Sequence, residues 1–151
     1  MKKIVTLICF ALLGLPVFAQ AQDPANTFVI VEQMPILKVD SCQALGTYEE
    51  EAKCALSVLA KYIHTNSDYP ACTLDQTVPI SAKVIVRFII NQSGKMENIE
   101  IAKNTTGQEV FVEEALRVMN KLNAEMSWVP GMQAGKVVRV SMMIPIVFKL
   151  R

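Results

Sequence analysis

Residues 83–90 carry apolar side chains in both alternating sets of positions. A strand with one face in solvent alternates between apolar and polar residues, whereas apolar residues on both faces require strands on each side and a covering layer. The pattern therefore predicts a central strand around which the rest of the chain is organised. One of its faces is wholly apolar and the other contains two isoleucines: Val84, Val86, Phe88 and Ile90 against Ile85 and Ile89.

A hairpin is predicted directly after the central strand. In Asn91-Gln92-Ser93-Gly94-Lys95, the glycine supplies the positive φ that a tight turn requires. Residues 96–103 then place Ile99 and Ile101 on one face and polar residues on the other, which is the pattern of a half-exposed strand. We expect this strand to return alongside the central one.

The first predicted helix covers residues 48–64. Thr47, followed three residues later by Glu50, forms a capping box at its start, and three glutamates place negative charge at the positive end of the helix dipole. Apolar residues then recur at helical spacing. The face expected to pack on the sheet consists of Ala52, Leu56, Leu59 and Ile63.

The second predicted helix covers residues 109–124. Its apolar stripe consists of Phe111, Ala115, Val118, Met119 and Leu122. Its polar residues, Glu113, Glu114, Arg117 and Lys121, are expected to form a solvated face with i, i+4 pairs rather than an acidic active site. Residues 127–131 stop the helix, and Trp128 is the largest apolar side chain available to hold it on the sheet.

The last predicted strand covers residues 136–150, and every second residue from Val138 to Leu150 is apolar. Pro145 lies within it, and a proline inside a strand is tolerated mainly at the edge of a sheet because it cannot donate a hydrogen bond. We therefore expect an edge strand. A further strand at residues 28–31 is predicted from its β-branched composition, and it is a candidate to cover that edge.

The amino terminus has the parts of a secretory signal: a basic start, an apolar run, and small residues at Ala19 and Ala21, after either of which cleavage fits. The apolar run is shorter than the ~20 residues that span a bilayer, which disfavours the alternative of an uncleaved anchor. We expect a signal peptide at 1–21, a leader at 22–27 and one domain at 28–151. Removal of Lys2 and Lys3 leaves 13 basic and 14 acidic residues, so no nucleic-acid partner is expected.

Three cysteines remain after the predicted cleavage. On an ideal helix Cys54 lies about 160° around from Leu56, and it should therefore point away from the sheet towards the loop that contains Cys42. Export favours pairing, which predicts a Cys42–Cys54 disulfide and an unpaired Cys72. Two alternatives are buried free thiols and a zinc site, although the sequence has no C-x-x-C pair and only one histidine, His64. A thiol nucleophile formed by Cys72 and His64 lacks any other catalytic group.

The order of these elements resembles the TonB C-terminal domain, in the form found in exported Bacteroidetes proteins. The resemblance covers nearly the whole predicted mature chain and depends on the order and spacing of several short pieces rather than on one motif. Cys42 and Cys54 also resemble a cysteine pair found in a subset of the family. The other matching pieces are Val31-Glu32-Gln33-Met34-Pro35, Tyr69-Pro70, residues 84–95, Glu114-Ala115-Leu116-Arg117-Val118, Trp128-Val129-Pro130-Gly131, and residues 137–140 and 145–148.

The resemblance implies an α+β fold in which a three-stranded antiparallel sheet carries two helices on one face. It also implies binding of outer-membrane receptors or other envelope proteins by strand pairing. Two departures from the family pattern are the missing retained membrane helix and Pro-rich spacer, which argue against the usual energy transduction. The segment 71–81 also departs from the charged segment usual after Tyr-Pro.

These observations predict a periplasmic protein-binding module that needs no cofactor, binds no small-molecule substrate and meets the membrane only through its partners. The alternative is a structural or accessory envelope protein whose sheet edge stays covered. An exported enzyme is disfavoured because no paired carboxylates, serine nucleophile motif, phosphate loop or metal ligand set is found. The predicted partner-binding residues lie along the last strand: Val138, Arg139, Val140, Ser141, Met142 and Met143.

Overall fold

The computed structural model describes residues 26–70 and 81–149. They form three helices and seven strands. In chain order these are β1 (Thr27–Phe28), β2 (Ile36–Leu37), α1 (Asp40–Gln43), α2 (Tyr48–Asn66), β3 (Ser81–Ile90), β4 (Met96–Asn104), α3 (Glu109–Glu125), β5 (Trp128–Val129), β6 (Gly131–Gln133) and β7 (Lys136–Lys149).

The three long strands form an antiparallel sheet in the order β7-β3-β4, and β3 is its central strand. The pairing of β3 with β7 is continuous from Ser81 opposite Lys149 to Ile90 opposite Val140. The predicted α+β class, the three-stranded antiparallel sheet and the central position of residues 83–90 are all confirmed. A separate small sheet pairs β2 with β5.

The core lies between one face of the sheet and the helices α2 and α3. The four side chains of the wholly apolar face of β3 are fully buried, and both helices contribute buried residues to the same cluster. Ile85 and Ile89 on the opposite face are only half-buried. The expected layer over that second face is therefore absent from the described residues, and we call this face, which is turned away from α2 and α3, the outer face of the sheet.

Helix α2 begins as predicted but packs through a different residue. The Thr47 hydroxyl accepts a hydrogen bond from the Glu50 N–H at 3.4 Å and donates one to the Glu50 carboxylate at 2.8 Å. Ala55 is 1% exposed and lies on the core face, whereas Leu56, predicted to lie there, is 65% exposed. The helical spacing permits either residue, and consecutive residues are turned by about 100°, so burial of Ala55 places Leu56 outside.

Helix α3 packs as predicted, since all five residues of its apolar stripe are fully buried. Its polar side is only partly the solvated face that we expected. Arg117 pairs with Glu114 at i−3 and donates a hydrogen bond to the Asn66 carbonyl at 2.6 Å, and Glu114 accepts one from the Asp68 N–H at 2.8 Å. These residues therefore attach α3 to the end of α2. Lys121–Glu125 is the i, i+4 pair in this helix, at 3.9 Å.

The predicted strand at 28–31 is shorter than expected and begins earlier. Strand β1 contains Thr27 and Phe28, which pair in parallel with Arg139 and Val140 of β7. Val29 and Ile30 leave the sheet in a bend and are 69% and 84% exposed. Val31 is again buried, and Gln33 then forms an isolated bridge with Met132 of β6. Two residues of the predicted strand thus contact solvent instead of a neighbouring strand.

Within the described residues, no helix has the length and apolar character needed to cross a bilayer. The predicted signal peptide at 1–21, most of the predicted leader, and the segment that carries Cys72 lie outside the described residues.

Candidate partner-binding edge of the sheet

The two edges of strand β7 have different environments. One edge is paired with β3 along ten consecutive residue pairs. Strand β6 pairs with Lys136, Val137 and Val138, before that pairing begins. On the other edge, β1 pairs with Arg139 and Val140. From 141 to 149 no described segment pairs with this second edge. We call residues 141–149 the open edge of β7.

The six predicted binding residues therefore fall into two groups. Val138 is already paired with β6, and Arg139 and Val140 are already paired with β1. Ser141, Met142 and Met143 lie on the open edge, which continues to Lys149. An edge strand presents unpaired N–H and C=O groups that an added strand can satisfy. The open edge offers such groups along a longer stretch than the sequence predicted.

The side chains of the open edge alternate between the core and solvent. Ile146 and Phe148 are buried against the helices, with Phe148 in ring contact with Phe111 at 5.3 Å. Met143 and Val147 project from the outer face and are 58% and 49% exposed. A strand added at this edge would therefore meet exposed apolar side chains on the outer face.

The Arg139 side chain is held against the sheet, whereas a side chain that contacts a partner should project into solvent. Its guanidinium crosses the outer face and pairs with the Glu97 carboxylate on β4 at 2.9 Å, and its side chain is 14% exposed. The same carboxylate accepts a hydrogen bond from the Asn91 side-chain amide at 2.6 Å. Arg139 thus links β7 to β4 across the central strand β3, and this ion pair stabilises the sheet.

Asn91 organises the hairpin next to this ion pair. It is 7% exposed, and its side-chain oxygen accepts hydrogen bonds from the backbone N–H groups of Ser93 and Lys95 at 2.9 and 3.0 Å. The Gln92 side chain donates to the Val137 carbonyl at 3.0 Å, so the hairpin also contacts β7. The turn was predicted from Gly94, and the role of Asn91 was not predicted, although an asparagine that begins a turn is a recognised signal.

Cys42 and Cys54 form a disulfide with a Cα–Cα distance of 5.5 Å. It attaches α1, in which Cys42 is buried, to the first half of α2. The predicted pairing agrees with the structure, although Leu56, which was expected to mark the inward face of α2, is exposed. Cys72, which was predicted to be unpaired, lies outside the described residues, as does the thiol of the disfavoured Cys72–His64 nucleophile.

Among the described residues, the ionisable groups with altered pKa values lie on helices α2 and α3 rather than at the open edge. Burial raises the pKa of Glu114, but hydrogen bonds from Arg117 and from the Asp68 N–H outweigh it, and the pKa lies below its usual value. Burial and a hydrogen bond to Glu125 raise the pKa of Tyr62 to about 12. In the described part of the chain no group of three or more His, Cys, Asp and Glu side chains is arranged to hold a metal ion.

Comparison with known proteins places this fold in a family. Residues 66–150, more than half of the chain, match the family described as Gram-negative bacterial TonB protein C-terminal. This chain belongs to the TonB C-terminal family. The family's domain is a non-enzymatic protein-interaction module, which in TonB interacts with outer-membrane receptors in TonB-dependent transport.

Two solution NMR structures of the Helicobacter pylori TonB C-terminal domain are similar to this chain. The one that contains residues 179–285 is 21% identical, with a TM-score of 0.48, and the match covers 74% of this chain and 90% of that chain. The one that contains residues 194–285 is also 21% identical, with a TM-score of 0.44 and coverages of 62% and 91%. No curated protein matches this chain.

Proposed function

We propose that this protein is an exported, periplasmic binding module that adds an extended segment of an envelope protein to the open edge of β7. An outer-membrane receptor is the partner class that family membership favours. The observation that carries the proposal is the absence of any described strand beside residues 141–149, combined with full pairing of the opposite edge of β7. Main-chain hydrogen bonds supply affinity in this mode, and alternate side chains supply selectivity.

Amide hydrogen exchange tests this proposal. In the free protein, alternate amides of residues 141–149 should exchange fast, because those that point to the open edge lack a partner, whereas the β3-facing amides should be protected. An envelope protein captured on a column of the domain should then slow the fast set selectively. Uniform slow exchange along 141–149 in the free protein would exclude an open edge.

Proline substitution at adjacent positions provides a second test. The N–H groups of consecutive strand residues point to opposite edges, so one of Ser141→Pro and Met142→Pro removes an outward N–H and the other removes a hydrogen bond to β3. Circular dichroism identifies the variant that remains folded. That variant should lose binding of the captured partner, and retention of full binding would contradict strand pairing. Hydrogen exchange on the parent protein still decides if both variants unfold.

A second candidate function is supported by the pairing at residues 139–140. Strand β1 covers these two residues of the second edge, and extension of that covering along β7 would give a structural or accessory envelope protein without strand-pairing activity. The same exchange experiment separates the two functions. An accessory protein would show no change at 141–149 when envelope extract is added.

A further inference from the structure

The charged side chains on the outer face of the sheet are unevenly distributed. Near the hairpin, Glu97 pairs with Arg139 at 2.9 Å, and Glu100 pairs with Arg87 at 2.7 Å. At the opposite end of the sheet, three exposed lysines form no ion pair with any carboxylate of the described residues. These are Lys83, Lys103 and Lys149, and we call them the lysine patch.

The strand register brings the lysine patch together. Lys83 is opposite Val147, and Ser81, two residues earlier, is opposite Lys149. Lys83 and Lys149 are therefore diagonal neighbours on the same face. Lys103 of β4 is opposite Ile85 of β3. It is therefore also a diagonal neighbour of Lys83, on the same face but on the strand that flanks β3 opposite β7. Diagonal neighbours are about 7–8 Å apart, which is within the screening length of about 8 Å at physiological salt. The patch therefore attracts anions although the chain as a whole has a formal net charge of only +1.

The lysine patch is continuous with the open edge of β7. Lys149 belongs to the open edge, and the exposed apolar side chains of Met143 and Val147 precede it on the same face. A strand added to this edge would place every second side chain on the outer face, in a row beside these three residues. Lys83 lies on the adjacent strand, within reach of a carboxylate in that row.

We propose that the segment recognised at the open edge is an extended peptide with apolar side chains beside Met143 and Val147 and a carboxylate beside Lys149 and Lys83. This inference rests on the proposed strand pairing and specifies the chemistry of the partner. A lipid surface is disfavoured as the occupant because it does not offer hydrogen-bonding groups in register with the backbone of an edge strand.

Two fluorescein-labelled peptides of equal length test the inference. Both alternate valine and threonine, and they differ only at the terminal residues, which are glutamate at both ends in one peptide and lysine at both ends in the other. Fluorescence anisotropy should show that the glutamate peptide binds about 3- to 10-fold more tightly, as expected for one or two exposed ion pairs. The preference should decrease with added salt.

Matched charge variants test whether the lysine patch causes the preference for the glutamate peptide. The double variant Lys83→Glu/Lys149→Glu should abolish or reverse this preference. The control Lys53→Glu/Lys61→Glu makes the same change in net charge at exposed positions of α2 and should leave it intact. Equal affinity of the two peptides, no binding of the glutamate peptide, or binding only of phosphatidylglycerol vesicles would each overturn the inference.

Hydrogen exchange with each bound peptide separates this inference from the proposed function. Protection of the open edge by both peptides equally, without an effect of Lys83→Glu/Lys149→Glu, would retain strand pairing and reject the acidic partner. Lysine-dependent binding of the glutamate peptide without protection at 141–149 would retain the anionic ligand and reject strand pairing.

Discussion

The backbones of Gly94 and Trp128 are in direct contact. The Trp128 N–H donates a hydrogen bond to the Gly94 carbonyl at 3.0 Å, and a Cβ atom at Gly94 would lie 2.1 Å from the Trp128 carbonyl oxygen. Trp128 is 4% exposed and contacts the ring of Phe88, with centroids 5.7 Å apart. The hairpin between β3 and β4 therefore positions the segment that follows α3.

Gly94→Ala should destabilise the protein by more than the left-handed backbone alone explains. A φ of +74° costs a side-chain residue about 1–2 kcal/mol, and the contact with Trp128 adds to this. Gly135→Ala is the matched control, because Gly135 has a φ of +72° and no heavy atom within 4 Å of the added Cβ. Urea unfolding should show a clearly larger loss for Gly94→Ala, and equal losses would mean that the Trp128 contact adjusts without cost.

Removal of the disulfide should cost about 3 kcal/mol, the amount expected for closure of a loop of this length in the unfolded chain. The double variant Cys42→Ala/Cys54→Ala measures this cost in chemical denaturation. Cys72→Ala is the control, since it should leave both the stability and the Cys42–Cys54 bridge intact. Detection of Cys72 in a disulfide by mass mapping of non-reduced peptides would contradict the predicted pairing.

Glu114 should make part of the stability depend on acidic pH. Its pKa is lowered in the folded state, so its contribution is fully present above the unfolded glutamate pKa of about 4.3 and is lost as the pH falls through the lower folded value. Glu114→Gln should therefore lower the unfolding free energy at pH 7 by about 1 kcal/mol, with a smaller difference at pH 3. Glu113→Gln, at an exposed position on the same helix, should show no such convergence.

The sequence pattern predicted the parts of the fold that depend on a long apolar period. In β3, in α3 and in β7, several apolar residues each follow the same period, so each of them indicates the same element and the same buried face. Helix α2 was harder to orient, because Ala55 and Leu56 both fit the helical spacing and the smaller residue faces the core. A period of 3.6 residues with few apolar positions does not decide between adjacent residues.

The candidate site was less predictable because long-range pairing decides it. Nothing local in residues 28–31 indicates that the chain leaves the sheet after Phe28, and nothing local in residues 136–138 indicates that they pair with β6. Arg139 was predicted as a partner-binding residue, and Glu97, with which it forms an ion pair, lies 42 positions earlier in the chain on a strand two places away. The lysine patch likewise exists only through the register of three strands.

Arg139→Ala should therefore lower stability as well as any binding. Its guanidinium pairs with Glu97 from a side chain that is 14% exposed, and removal leaves a partly buried carboxylate with the Asn91 amide as its remaining partner. We expect a loss of about 1–3 kcal/mol in unfolding free energy, as for a buried group that loses its charged partner. Arg87→Ala is the matched control, because that residue pairs with Glu100 on the same face with both side chains about half exposed, and it should cost less than about 1 kcal/mol. Equal, small losses in both variants would show that Arg139 is as dispensable to the fold as a surface arginine, and would restore it as a side chain available to a partner.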